Sequence, residues 1–140
     1  ERHKNTRHIG IGYLKGYGLK SGAVATSVAH DSHNIICVGT NDEDMAFAVN
    51  RIARNRGGIV VVENGQVLAE LPLEIAGIIS GKPLREVNTL LEDAKKAAHA
   101  LGVGTDIDPF MTLSFMSLPV IPTLRLTTRG VVDVNTQQYV

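Results

Sequence analysis

Cys37 is the only cysteine in 140 residues, so the chain can form no internal disulfide and no cysteine-based zinc cluster. That economy fits a reducing compartment, and a cytoplasmic location is expected. Net charge is missing too: 14 Lys and Arg offset 14 Asp and Glu. Nucleic-acid binding needs clustered, unbalanced positive charge, so no nucleic-acid partner is expected. No apolar run approaches the roughly 20 residues needed to span a bilayer. No membrane contact is expected, and no signal peptide opens the chain. An initiator methionine is also lacking. The chain starts Glu1-Arg2-His3-Lys4, as a piece cut from something longer would. Arg2, Lys4 and Arg7, with His3 and His8, read as a short exposed basic arm.

What is present suits a single domain spanning residues 1–140 with a real core. The glycine-rich, β-branched and aromatic stretch from Ile9 to Tyr17 reads as a strand that something approaches closely. Ser21 to Ala29 reads as a second strand of small residues. Asn34 to Gly39 is a third, continuously apolar and so expected to be covered on both faces. Thr40 with Glu43 has the spacing of a capping box opening a helix, whose buried stripe is Met45, Ala48, Val49, Ile52 and Ala53. Gly57-Gly58 ends it. Two strands flank Asn64-Gly65 between Gly58 and Leu71, the clearest hairpin in the chain.

Ile75 to Ile79 reads as a short helical turn. Pro83 suits a first helical position, with Leu84, Val87, Leu91, Ala94, Ala98 and Leu101 on one side of a longer helix ending at Gly102. Pro109, Pro119 and Pro122 break the apolar stretch from Asp108 into a short helix, an extended piece and a strand at Leu124 to Thr127. The last residues, from Gly130, read as an edge strand. The expected fold is α+β: a mixed, largely antiparallel sheet with at least two helices packed on it.

His30, Asp31, Ser32, His33 and Asn34 form the densest polar cluster. Imidazole and carboxylate together suit zinc, manganese or iron, which makes His30, Asp31 and His33 candidate metal ligands. A hairpin turn explains the same residues more simply, because Asp, Ser and Asn bond nearby backbone groups. The carboxylates Asp42, Glu43 and Asp44 are accounted for by capping and dipole compensation in a first helical turn. Cys37, inside an apolar strand, reads as a small hydrophobe. Lys15 precedes Gly16 and Gly18 instead of following a glycine loop, so no phosphate site is assigned. Met111, Leu113, Phe115, Met116 and Leu118 form a soft apolar patch, suited to the core or to a partner.

Three stretches together resemble the C-terminal domain of bacterial and archaeal adenine deaminases, members of the amidohydrolase superfamily. They are "SVAHDSHNIICVGTNDEDMAFAVNRI" from Ser27, "GGIVVVENGQVLAELPLEIAGIIS" from Gly57 and "DPFMTLSFMSLPVIPTLRLTTRGVVDV" from Asp108. The resemblance runs nearly the whole chain. It implies a parent enzyme that converts adenine and water to hypoxanthine and ammonia, in a purine salvage role. The chemistry there belongs to a preceding barrel domain holding a manganese or iron pair. A barrel takes about 250 residues, and no His-x-His occurs here. No cofactor or complete metal site is therefore expected in this chain alone, and the isolated chain is expected to be inactive. The implied partners are the barrel domain, in cis or in trans, and further copies in a homo-oligomer. His30 to Asn34 match the family's His-Asp-Ser-His-Asn signature, which implies a loop facing the mouth of the barrel. A freestanding small-molecule or metal-binding module using that loop is the alternative.

Overall fold

Strand β3 (Gly58–Glu63) organises the molecule, because its run of Ile59, Val60, Val61 and Val62 is buried on both sides. The computed structural model describes residues 1–4 and 6–140. In it β3 pairs with β1 (Ala23–Thr26) and with β4 (Gln66–Pro72), and β2 (Ile36–Gly39) closes the other edge, giving the order β2-β1-β3-β4. Side chains alternate across a strand, so the two faces carry different cores. Ala23, Ala25, Val60 and Val62 meet Ala48 and Ile52 of α1 (Asp42–Arg54). Val24, Ile59 and Val61 meet Ala94 and Ala98 of α2 (Leu84–Ala100) and Phe110 and Leu113 of α3 (Pro109–Met116). The sheet is thus sandwiched between α1 on one side and α2 with α3 on the other.

A second sheet lies outside this sandwich. It contains β5 (Leu124–Thr127), β6 (Gly130–Asp133) and β7 (Gln138–Tyr139), with β6 in the middle. The α+β class is as expected from sequence. The sheet is not mixed, however: two sheets form, and every strand pair among the described residues is antiparallel.

Several elements differ from the sequence reading for physical reasons. Ile9 to Tyr17 is not a ladder strand: Gly10 and Gly12 lie close against the second sheet, and Gly16, at a φ of 87°, bends the chain before Tyr17. The third predicted strand is β2, a half-buried edge instead of a strand covered on both faces. Asn41 caps α1, accepting from the Asp44 N–H at 2.8 Å, while the Thr40 hydroxyl bonds the Gly22 carbonyl in the neighbouring hairpin. Ala53, assigned to the buried stripe, is exposed. Arg56, at a left-handed φ of 61°, ends the helix just ahead of the glycine pair. Ile75 to Ile79 closes on itself as a two-way backbone bridge, because Ala76 and Gly77 both adopt positive φ and cannot continue a helix. Gly57 must be glycine for this turn to dock: a Cβ there would stand 2.3 Å from the Gly77 Cα.

Pro83 caps α2 one residue ahead of the predicted position, and Leu84 is exposed because it lies before the helix reaches the sheet. The last predicted strand is split: Gly130–Asp133 is central in its sheet, and the remaining piece, β7, lies at one edge. Two ion pairs tie helices to their neighbours. Arg51 grips Glu70 of β4 through two bonds of 2.7 and 2.6 Å. Lys95 of α2 reaches, at 3.1 Å, the Asp108 carboxylate that caps α3.

Candidate functional site

The His-Asp-Ser-His-Asn segment follows β1 directly, and a buried serine fixes its starting direction. The Ser27 hydroxyl donates to the Gly77 carbonyl at 2.5 Å and accepts the Gly58 N–H at 2.7 Å, locking β1 to β3 and to the turn at residues 75–79. After buried Ala29 the chain reverses. The His33 N–H bonds back to the Ala29 carbonyl at 2.6 Å, with His33 at a φ of 47°. Such a left-handed residue closes a tight turn, so the polar-turn reading is correct as to backbone.

Two separate pieces of chain then clamp that turn. From α3, the Ser114 carbonyl accepts the His30 N–H at 3.2 Å, and the Ser117 hydroxyl reaches the His30 carbonyl at 3.4 Å. The His30 ring stacks on Phe115, with centroids 5.0 Å apart and planes 17° from parallel. From the N-terminal arm, the Arg2 guanidinium donates to the His33 carbonyl at 2.7 Å and to the Ala76 carbonyl at 3.1 Å. The Arg2 N–H adds a bond to the Asn34 side-chain oxygen at 3.2 Å, and the His3 Nε2 lies 2.8 Å from the Ser32 carbonyl. The backbone oxygens of His30, Ser32 and His33 are thereby engaged from the protein side.

The side chains of the turn differ in how far they project. Asp31 is 89% exposed, Ser32 is exposed, and His30 is half-buried with its Nδ1 3.8 Å from the Asp31 carboxylate. The His30 and His33 rings lie 6.4 Å apart. The Nδ1 atom of His33 is sealed from solvent and has no hydrogen-bond partner among the described residues. All five predicted site residues therefore belong to one rigid turn. Among the described residues, no three His, Cys, Asp or Glu side chains gather closely enough to hold a metal ion.

Other candidates resolve differently. Asp42 and Glu43 are exposed in the first turn of α1, but Asp44 is buried. Its carboxylate accepts from the Asn41 side chain at 3.0 Å, from the Gly65 N–H at 2.7 Å and from the Asn64 N–H at 3.1 Å. These bonds, that from Asn41 foremost, hold the Asp44 carboxyl below the ordinary carboxylate range. The carboxylate clasps the hairpin turn. Burial pushes the Cys37 thiol up to about 12, which makes it a poor nucleophile. Of the soft apolar patch, Leu113 is core, Phe115 supports His30, Met116 and Leu118 are half-buried, and Met111 is exposed. Sequence reasoning missed Arg2, His3, Ser114 and Ser117 as parts of the site. The basic cluster at the N-terminus was the one available signal, and it reads as an arm until its carbonyl targets are known.

Residues 1–138 match the family described as the adenine deaminase C-terminal domain. The chain belongs to that family. Relatives named adenine deaminase agree along the whole length. That of Nitratidesulfovibrio vulgaris strain Hildenborough is 53% identical over 140 residues, covering 99% of this chain and 24% of the relative. That of Bacillus subtilis strain 168 is 46% identical over 140 residues, covering all of this chain and again 24% of the relative. That of Dehalococcoides mccartyi is 54% identical over 135 residues. The adenine deaminase C-terminal domain seen here thus spans about a quarter of the length of the curated relatives it matches. No helix among its described residues is long and apolar enough to cross a membrane.

Proposed function

We propose that this chain is the accessory C-terminal domain of an adenine deaminase, and that the His30–Asn34 turn borders the active site formed by the rest of that enzyme. The supporting observation is the clamping: α3 with Ser117, and the N-terminal arm that is itself anchored on the Ala76 carbonyl, hold the backbone of a turn carrying two imidazoles and an exposed carboxylate. A preorganised polar group of this kind suits a site where a substrate must be oriented or a proton handed over. Hydrolysis of adenine releases its exocyclic nitrogen as ammonia, and that nitrogen must gain protons. Imidazole is the side chain that exchanges a proton most readily near neutral pH. The manganese or iron pair that the family resemblance implies belongs, on this reading, to the preceding domain.

The test is replacement of His30 and of His33 by alanine in the full-length enzyme. The expected result is a fall in kcat for adenine of about 10- to 100-fold, on the scale of losing a positioned acid–base group, with metal content and melting temperature unchanged. Unaltered kcat, KM and metal content would remove the turn from the mechanism. Stoichiometric binding of manganese or adenine by the 140-residue chain alone would instead favour a freestanding binding module.

A further inference from the structure

Past Arg7, whose φ of 59° is left-handed, no turn or bend interrupts residues 8–15, and the side chains alternate as Ile9, Gly10, Ile11, Gly12, Tyr13. The two glycines form one edge of this strip and lie flat on the second sheet. A Cβ on Gly10 would stand 1.8 Å from the Thr127 carbonyl oxygen, and one on Gly12 would touch Val131 and Leu126. The other edge is apolar and bare: Ile9 is 80% exposed, Ile11 82% and Tyr13 fully. Side chains two apart on an extended chain are spaced roughly 6.8 Å, so the three form an apolar comb about 13 Å long. Among the described residues no hydrogen bond engages a backbone group of residues 9–16. Unpaired backbone beside exposed apolar side chains is the arrangement that recruits a further strand.

The strip is held in place at both ends. The Glu1 backbone nitrogen lies 3.1 Å from the His8 carbonyl oxygen, and at the far end buried Tyr17 donates its hydroxyl to the Pro109 carbonyl at 3.1 Å. Presenting such a comb in a fixed geometry lowers the entropic cost of covering it.

We infer that the Ile9–Tyr13 strip is the docking rail for an extended, apolar-faced segment of the polypeptide that precedes this chain in the longer enzyme. This rests on reading the chain as the last quarter of such an enzyme. Two observations choose that occupant over a second copy of the chain. Three side chains fall well short of the roughly 20–30 residues a side of a stable interface between separate molecules, whereas a covalently joined segment arrives at high effective concentration and needs far less area. In addition, the matched family is a C-terminal domain and the Glu1 nitrogen lies at the His8 carbonyl, so the preceding chain enters beside Ile9.

The experiment is amide hydrogen exchange on the full-length enzyme, followed at residues 9–16 at concentrations above and below subunit dissociation. The expected result is exchange at least about 100-fold slower than in an unstructured peptide, unchanged when the subunits separate. Unprotected exchange in the full-length enzyme would overturn the proposal, and so would protection that disappears on dilution, which would assign the strip to a second copy. Ile11→Asp in the same enzyme should release residues 9–16 while the β1 and β3 amides stay protected; retained protection at the strip would equally overturn it. The outcome is independent of the His30 and His33 kinetics, so either idea can fail while the other stands.

Discussion

The four-stranded sheet and the three-stranded sheet are built from similar residues, yet they are satisfied in different ways. Every residue of β1 is buried, and β3 is buried apart from its last residue, because a helix layer covers each face. In the second sheet only Val132 is buried, while Leu124 and Tyr139 are more than half exposed, and the strip lying against that sheet turns Ile9, Ile11 and Tyr13 outward. Apolar side chains are therefore not by themselves a sign of core. One part of the molecule is complete; the other carries the same chemistry turned toward the outside.

Truncating the same kind of side chain in each part sharpens that contrast. Ile52→Ala, at a site with no solvent contact, should cost about 2–5 kcal/mol of unfolding free energy in denaturant titration. A loss below about 1 kcal/mol would mean that the α1 face is loosely packed. A smaller effect is expected at Asp44. Its folded-state carboxyl sits below the ordinary carboxylate range, so its contribution is complete above an unfolded pKa of about 3.9. That contribution is lost as pH falls through the lower folded value. Asp44→Asn should therefore lower the melting temperature at neutral pH, and the gap from the parent chain should narrow in acid below about pH 4. A gap independent of pH would show that the ionised carboxylate is not what holds the hairpin turn. The smallest effect belongs to the second sheet: Leu124→Ala should change stability by no more than about 0.5 kcal/mol in the 140-residue chain. A larger loss there would erase the distinction between the two regions.

The same contrast explains what could be read from residues alone. Asn64-Gly65 marked its hairpin because the turn depends on two residues that accept positive φ, and both do so, at 52° and 70°. The α1 and α2 stripes were legible because each helix has one face on a covered sheet. The Ile9–Tyr17 stretch has the composition of a strand, but composition does not show whether a ladder partner exists. Nor does the apolar run of β2 reveal that it lies at an edge. The site divides likewise. Five neighbouring polar residues are visible as a cluster in any reading of the chain. Phe115 under His30 and the grip of Arg2 on His33 bring together residues 85 and 31 positions apart, and no local pattern encodes such contacts.

Arg2 also gives the turn a mechanical character. One guanidinium spans the His33 and Ala76 carbonyls, and the same residue's N–H holds Asn34. Force applied to the chain ahead of Arg2 would therefore not dissipate in a slack tether. It would act through a short lever on the carbonyl beside the His33 ring, so that the posture of the histidines and the angle at which the preceding polypeptide arrives move as one part.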